Sequence, residues 1–217
     1  MASRKFLSPL SRGFRALRIW KAVASLLFLI WWDSKLWTYP GGCTNEKKQD
    51  RQRVRARWLT NELVHLGSAF IKLGQLLSAR PDILPSGWVD ELADLQDKVP
   101  AFNFQKAQSV IEKELGSRSE EITEIDEEAL GAASLAQVHR AQLKSGRQVV
   151  LKIQRPGLEK LFRLDLEVMQ QVAALLQKNH NWSHGRDFIG IAKECRKVLL
   201  RELDFRLEAQ YAARFRQ

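Results

Sequence analysis

The segment EALGAASLAQVHRAQLKSGRQVVLKI, residues 128–153, has the composition of three consecutive β-strands. Four small residues, Gly131–Ser134, separate its first two segments of strand composition, and Lys144–Arg147 separates the second segment from a third. Because Gly146 can adopt a positive φ, the 144–147 segment predicts a hairpin turn. The pattern predicts a small antiparallel sheet. Together with the helical periodicities on both sides, it indicates an α+β fold class.

The third strand, Val149–Ile153, carries a single lysine. Strand alternation places Lys152 on one face together with Val150, and the remaining apolar side chains on the other face. A lysine in such an apolar strand is costly to bury unless it meets an anion, so we expect Lys152 to be a buried cation with a counter-ion. The small side chains of 131–134 leave backbone N–H groups close to any ligand, which is typical of phosphate-binding loops.

The formal net charge of +10 is confined to the first part of the chain. Residues 1–60 hold 13 Lys and Arg against 3 Asp and Glu, whereas residues 61–217 hold 22 of each. A nucleic-acid-binding fold usually carries its basic residues on its folded surface, so we expect no nucleic-acid partner. The two cysteines, Cys43 and Cys195, match no metal spacing and favour a reducing compartment.

The leader, residues 1–44, is basic and rich in tryptophan. Its apolar run, Ala22–Trp32, is 11 residues long, whereas a spanning helix needs about 20. No small-residue cleavage site follows, which disfavours a signal peptide. Four of the seven tryptophans lie between 20 and 37, as in helices that lie in a membrane interface. We therefore expect contact with an anionic membrane surface; the alternative is a hydrophobic hairpin docked on the core of this chain or of a partner.

Apolar periodicity predicts one continuous helix from about Glu46 through Ala79, with Lys72 and Gln75 away from its apolar stripe. A short helix, Ser86 to Gln96, is expected to have Ser86 as its N-cap. A further helix over 103–116 should end at Gly116.

Two more helices are predicted after the sheet. One covers Leu158 to Lys178, and the last runs without a break from an N-cap at Asp187 to the end of the chain. Between them, His180 and His184 are four residues apart, as some metal ligands are. No third ligand is near, so we predict no metal site there.

Four segments resemble motifs of the UbiB family, the aarF-domain-containing atypical kinases. AFIKLGQ (69–75), followed by SARPDILP (78–85), resembles the family's KxGQ segment. GAASLAQVHRA (131–141) resembles its alanine-rich replacement for the kinase glycine-rich loop, and VVLKIQRPG (149–157) resembles its phosphate-lysine strand. RELDFRLEA (201–209) resembles its ExD segment, and the four matches occur in the family's order.

The resemblance implies a protein-kinase-like N-lobe, made of a small antiparallel sheet plus helices, with a helical N-terminal extension and without a C-lobe. It divides the chain into the leader (1–44), a KxGQ-type extension (45–120) and the N-lobe (121–217). The function it implies is the nucleotide-binding half of an atypical kinase or ATPase associated with membrane lipid-quinone metabolism. The alternative is a non-enzymatic, membrane-associated binding or regulatory remnant.

The resemblance also assigns residues. ATP or ADP would be bound by Gly131, Ala132, Ala133, Ser134, Lys152 and Glu208. A second group would form the family-motif gate: Lys72, Gly74, Gln75, Glu202 and Asp204. If residues 202–208 are one helix, Asp204 and Glu208 share a face and Glu202 does not. We therefore expect Lys152 to pair mainly with Glu208, and Lys72 to meet Glu202 or Asp204.

The floor of a kinase site has no counterpart in this sequence. It contains neither a catalytic-loop Asp and Asn nor a DFG-type Asp. We therefore expect no catalytic residue in this chain, and Mg²⁺ would need the missing C-lobe. A separate C-lobe polypeptide is a candidate partner. The expected location is membrane-associated, facing a reducing compartment: the bacterial cytoplasm or an organelle.

Overall fold

A computed structural model of the protein describes residues 9–82, 84–95, 100–179 and 185–215. The helices are α1 (Pro9–Asp33), α2 (Asn45–Leu66), α3 (Ser68–Ser78), α4 (Ser86–Ala93), α5 (Phe104–Leu115), α6 (Leu158–Lys178), α7 (Phe188–Glu202) and α8 (Phe205–Arg214). The strands are β1 (Ile122–Ile125), β2 (Gly131–Ala132), β3 (Ala136–Leu143) and β4 (Gln148–Gln154).

The described residues group into two compact units. The sheet unit runs from residue 100 to Leu161, and the helical unit comprises the described residues up to Leu95 and from Phe162 onward. This grouping follows contacts between residues. The division at residues 44 and 120 concerns functional segments and stays a prediction.

The sheet is built around β3. One edge of β3 pairs with β4 along its length, from Ala136↔Gln154 to Gln142↔Gln148. The other edge pairs first with β2 and then with β1, all antiparallel. The turn between β3 and β4 has Gly146 at φ +79°, which confirms the predicted hairpin. The antiparallel sheet with separate helices confirms the α+β fold class.

One face of the sheet forms the core of its unit. Ala107 and Ile111 of α5 pack against Ile153 of β4, and half-buried aromatic and aliphatic side chains surround them. On the opposite face, Val150 is 63% exposed and Lys152 is also exposed. The side-chain alternation of β4 therefore produces a sheet with one packed and one open face.

The packed face of β3 contains a buried polar chain. The Phe102 amide donates to Gln137 Oε1 at 2.8 Å, and the Gln137 amide nitrogen lies 2.8 Å from His139 Nε2. His139 Nδ1 lies 2.7 Å from the Asp126 carbonyl oxygen. Because a carbonyl oxygen only accepts, Nδ1 must carry the proton and Nε2 accepts from the amide. Gln137 and His139 thereby have partners although each is only 1% exposed.

Two predicted helices are interrupted. The helix expected over Glu46–Ala79 breaks at Gly67, whose φ is +92° and whose N–H donates to the Leu63 carbonyl. Glycine alone adopts this conformation without strain. The last predicted helix begins after the expected cap, since Asp187 accepts from the Gly190 amide. It nevertheless breaks at Leu203, and Asp204 becomes the N-cap of α8.

The remaining predicted boundaries differ less. α4 begins at Ser86, so Ser86 is the first helical residue and Pro85 holds the cap position. The same helix ends at Ala93, earlier than expected. α5 ends where it was predicted to end, with Gly116 at φ +55° in the cap position.

The inner face of α1 packs against the other helices of the helical unit. Ile19 is 1% exposed. Arg15 pairs bidentately with Asp165 of α6, with both N–O distances 2.7 Å, and it also donates to the Leu66 carbonyl. Burial raises the pKa of Asp165 although Arg15 opposes that shift. For this face, the alternative of docking on the chain's own core is confirmed.

The outer face of α1 and the turn that follows expose a different set of side chains, the aromatic stripe. Lys35 Nζ lies 5.0 Å from the centre of the Trp31 ring, which keeps a cation beside the stripe. Within the ranges given above, no helix has the length and apolarity needed to cross a membrane. Contact with a membrane surface stays a prediction. The stripe consists of Phe14, Leu17, Phe28, Trp31, Trp32, Leu36 and Trp37.

Gly74 permits a close approach of α3 to α2 and α4. A Cβ added to Gly74 would overlap Leu95 Cδ1 and lie 3.0 Å from Leu63 Cδ1. Leu92 and Leu95 are themselves buried, at 0% and 4% exposed. The glycine is therefore required by helix packing.

We expect Gly74→Ala to lower the free energy of unfolding by about 1–3 kcal/mol because the added methyl group overpacks this contact. Gly13→Ala is the matched control, since a Cβ on Gly13 meets nothing within 4 Å; it should be neutral or slightly stabilising through helix propensity. Urea unfolding of the whole chain, followed by circular dichroism, measures both. Equal stability of the two variants would contradict the packing role.

Candidate functional site

The candidate nucleotide site is a row of residues across three strands. Val138 of β3 pairs with Gly131 of β2 on one side and with Lys152 of β4 on the other. Directly opposed residues in an antiparallel sheet project to the same face, and two strand spacings measure about 10 Å. Gly131 and Lys152 therefore border the same patch of the open face, with Val138 between them. A Cβ on Gly131 would meet nothing within 4 Å.

Lys152 is exposed, so the expectation that it is a buried cation is wrong. The reason is the open face of the sheet: its neighbour on that face, Val150, is 63% exposed as well. Because the ammonium group of Lys152 stays in contact with water, folding does not require a counter-ion to offset the cost of burying its charge. An exposed ammonium beside exposed apolar side chains can still bind an anionic ligand that has an apolar part.

The Ala-rich loop is a tight connection between β2 and β3. The Ala133 amide donates to the Ala136 carbonyl at 2.8 Å, so this N–H is engaged within the hairpin. Gly131 and Ala132 belong to the β ladder, and Ser134 is fully buried. Residues 131–134 are therefore not the predicted loop with all of its backbone N–H groups open to a ligand. Phosphate binding by 131–134 stays a prediction.

Arg155, just after β4, holds this loop in place. Its Nε donates to the Ala133 carbonyl at 3.0 Å, and its backbone N–H donates to the Leu135 carbonyl at 2.9 Å. The guanidinium also donates to the Pro100 carbonyl at 2.7 Å and lies 5.4 Å from the centre of the Phe102 ring. Burial lowers the pKa of Arg155, but arginine remains charged at neutral pH. These contacts tie the loop to the strand that carries the lysine.

The KxGQ residues lie in the helical unit and have separate tasks. Lys72 Nζ lies 3.6 Å from Glu202 Oε2, so of the two expected carboxylates Glu202 lies beside the lysine. Gln75 Nε2 donates to the Leu95 carbonyl at 2.9 Å just beyond the end of α4, and Gly74 allows the same helices to approach. Gln75 and Gly74 therefore build the helix packing that presents Lys72. The gate role of these residues stays a prediction.

The ExD residues are not on one helix. Glu202 ends α7, whereas Asp204 caps α8 and accepts from the Arg206 amide at 3.1 Å. Arg206 also forms two side-chain hydrogen bonds with Asp204 and holds the pKa of that carboxyl below its usual range. Glu208 is exposed in the first turn of α8. Its pairing with Lys152 would join residues of the two units and stays a prediction.

His180 and His184 lie outside the described residues. In the rest of the chain that the structure describes, no group of three or more His, Cys, Asp or Glu side chains is arranged to hold a metal ion.

Sequence reasoning missed two kinds of residue. Val138 and Val150 supply the apolar surface beside Lys152; strand alternation already placed Val150 there, but only the register of β3 adds Val138. Arg155 had no predicted role. Its sequence position beside Pro156 gave no signal for contacts with carbonyls 20 and 55 residues away, at positions 135 and 100.

We expect Arg155→Ala to loosen the loop, because each hydrogen bond from a charged donor is worth about 1.5–3 kcal/mol. Hydrogen exchange of the amides at 133–136 should accelerate by about tenfold or more, following 1.4 kcal/mol per factor of ten. Arg147→Ala, in the exposed hairpin turn, should leave these amides unchanged. Unchanged exchange in Arg155→Ala would show that the hydrogen bonds of Arg155 do not hold the loop in place.

Comparison with known proteins places the chain in a family. Residues 94–217 match the ABC1 atypical kinase-like domain. An uncharacterized protein of Synechocystis is 46% identical over 94% of this chain and 35% of its own length. The chloroplastic protein ACTIVITY OF BC1 COMPLEX KINASE 7 of Arabidopsis thaliana is 46% identical over 94% of this chain and 29% of its own. A probable protein kinase UbiB of Azotobacter vinelandii is 40% identical over 76% and 31%.

A solved structure is also similar. A Mycobacterium tuberculosis protein, determined as a complex with erythromycin, is 31% identical, with a TM-score of 0.43 over 62% of this chain and 34% of that chain. The chain spans about a third of the length of the three curated relatives named above, from 29% to 35%. The resemblance to the UbiB and aarF-domain proteins is confirmed, and the fold is α+β with a kinase-like N-lobe. This chain belongs to the ABC1 atypical kinase-like family.

Proposed function

We propose that these residues are the nucleotide-binding, N-terminal part of a UbiB-type atypical kinase or ATPase that works at a membrane in lipid-quinone metabolism. One observation carries the nucleotide part: Lys152, Val138 and Gly131 form one row on the open face of the sheet. A cation, an apolar surface and a position without a side chain thus adjoin each other. An adenine nucleotide presents the complementary features, a phosphate chain and a flat apolar base.

The residues present fit ATP or ADP in a specific way. The ammonium of Lys152 would hold phosphate oxygens, as the corresponding lysine does in kinases. Val138 and the exposed Val150 would lie against the base, and Gly131 leaves room for the phosphates to approach the backbone. Arg155 would keep the Ala133 loop at a fixed distance above them. When bound, the nucleotide supplies the transferable phosphoryl group.

Phosphoryl transfer also needs a catalytic base and carboxylates for Mg²⁺. No segment of the 217 residues has the sequence of a kinase catalytic loop or a DFG-type motif. The named relatives are about three times as long as the aligned part. We therefore expect nucleotide binding by these residues, and turnover only together with a C-lobe.

We expect Lys152→Met to weaken nucleotide affinity by about ten- to a hundredfold, because one charged hydrogen bond to phosphate is worth about 1.5–3 kcal/mol. Titration of the full chain with a fluorescent ATP analogue measures the affinity. Lys144→Met, in the exposed hairpin turn, removes an equal charge and should leave the affinity unchanged. Equal losses in both variants would indicate nonspecific attraction, and the proposal would then be wrong.

The membrane part of the proposal rests on the aromatic stripe. Trp37 is 70% exposed and Leu36 is 72% exposed, and cations such as Lys35 lie among these side chains. Large apolar side chains mixed with lysine and arginine are typical of helices bound at anionic interfaces. Three of the relatives carry the word chloroplastic in their names. An organelle or a bacterial cytoplasm is the compartment we propose here, with the stripe at a membrane surface.

We expect the double variant Leu36→Asn/Trp37→Asn to bind vesicles of phosphatidylglycerol and phosphatidylcholine about tenfold more weakly or worse. Burying one large apolar side chain is worth about 1.5–3 kcal/mol, and 1.4 kcal/mol corresponds to tenfold. Phe215→Asn is the control, since Phe215 is 91% exposed but belongs to the other end of the chain. Sedimentation with the vesicles measures binding. Identical sedimentation of the two variants would count against the stripe.

A non-enzymatic, membrane-associated binding protein is the second candidate, and the aromatic stripe favours it equally. The two candidates differ at Lys152. Vesicle binding by a chain that binds no ATP or ADP would support the non-enzymatic candidate and exclude the first.

A further inference from the structure

The helical unit contains a large apolar cavity that the nucleotide proposal does not use. Its volume is about 750 Å³. Six helices contribute to its wall: α1, α2, α3, α4, α6 and α7. All except α2 present mainly aliphatic or aromatic side chains to it, whereas α2 adds polar and charged ones. One wall residue from each helix, in chain order, is Leu26, Leu63, Phe70, Leu92, Val172 and Ile191.

The size and the lining indicate the kind of occupant. Small-molecule sites measure about 300–1,000 Å³ and are mainly apolar. Since one water occupies about 30 Å³ of liquid, filling this cavity would take roughly 25 waters. The aliphatic and aromatic parts of the wall offer few hydrogen-bond partners to such a cluster, so hydration is unfavourable there. An elongated hydrocarbon chain would make apolar contacts with this lining, whereas a compact polar metabolite would lose hydrogen bonds to water without replacing them.

Most of the polar side chains of the wall lie at one end, where α1 turns into α2; Glu62, near the other end of α2, is an exception. Asp33 at this end is held by Arg51 and Arg55, at 3.3 and 2.9 Å. Lys48 lines the same end, is exposed, and adds a further positive charge. Three cations against one carboxylate leave this end with an excess of two positive charges. A ligand with an apolar tail and an anionic head would be complementary to the cavity and its charged end.

We propose that this cavity binds one hydrocarbon tail of an anionic membrane lipid, with the head group at the Lys48 end. α1 connects the cavity with a bilayer, because the helix that lines it with Leu26 on the inner face exposes Phe28 and Trp31 on the outer face. A lipid could thus pass from the membrane surface to the cavity along one helix. The inference needs no nucleotide at Lys152, and it stands or falls separately from that site.

The test uses the full chain in dodecylmaltoside with phosphatidylglycerol or phosphatidylcholine that has identical acyl chains. After gel filtration, lipid retained by the protein is extracted and quantified. We expect about one phosphatidylglycerol per chain and several-fold less phosphatidylcholine. Detergent dispersion makes retention independent of vesicle contact, so loss of vesicle binding through the aromatic stripe and loss of cavity binding give different results.

Matched variants place the lipid in the cavity. Ala22→Trp fills the cavity from α1, whereas Ala24→Trp adds the same side chain on the exposed face of the same helix. We expect Ala22→Trp to lower retention by about tenfold or more, because the indole would occupy space that the acyl chain needs, and Ala24→Trp to leave it unchanged. If circular dichroism shows that Ala22→Trp does not fold, Ala192→Trp fills the cavity from α7.

The head-group end has its own pair of variants. Lys48→Glu should abolish the preference for phosphatidylglycerol, whereas Lys106→Glu, an equal charge change on the exposed face of α5 in the sheet unit, should preserve it. Absence of retained lipid, equal retention by the Ala22→Trp and Ala24→Trp variants, or equal retention of the two lipids would each overturn the proposal. Retention of free oleate but of neither phospholipid would also overturn it.

Discussion

The register between β3 and β4 is the constraint on which the candidate site depends. Seven consecutive pairs, from Ala136↔Gln154 to Gln142↔Gln148, fix which side chains of β4 reach the core. Because strand side chains alternate, a slip of one residue would turn Lys152 into the core and expose Ile153. The hairpin at Gly146 and the packing of Ile153 on α5 both oppose such a slip. The position of the lysine beside Val138 is thus a consequence of core packing.

The helical unit obeys a different constraint, the close approach of helices. Gly74 brings α3 so close to Leu95 that an added Cβ would overlap its side chain. Gln75 then satisfies a carbonyl beyond the end of α4, and Lys72 extends from the same helix toward Glu202. A motif first interpreted as a gate is therefore partly a packing motif. Its glycine and glutamine fix the helix packing, and its lysine lies beside Glu202.

The sequence was sufficient where local chemistry decides the structure. The Gly146 turn, the alternation of β4, and the caps at Asp187 and Gly116 were all predicted. Prediction failed where a nonlocal or competing interaction wins. Gly67 interrupts the helix that the apolar periodicity predicted over Glu46–Ala79. Asp204 starts α8 within the segment that was predicted as one continuous last helix.

The exposure of Lys152 and the clamp by Arg155 are failures of a related kind. Both depend on what covers a surface or on which distant carbonyls lie near, and the spacing of residues along the chain does not encode either property. Composition was a better guide for α1. Its tryptophans and cations were noted, although only the packing of Ile19 and Arg15 shows which side of the helix is left for other molecules.

The mixture of cations and rings on α1 has a kinetic consequence. The formal charge of +10 lies entirely within residues 1–60, so the protein carries a strong electric asymmetry. A negatively charged surface would orient it from a distance, with the N-terminal helices leading, over a range set by the Debye length of about 8 Å at physiological salt. The rings act only on contact. The association rate would therefore depend on ionic strength, and the dissociation rate would depend on hydrophobic burial.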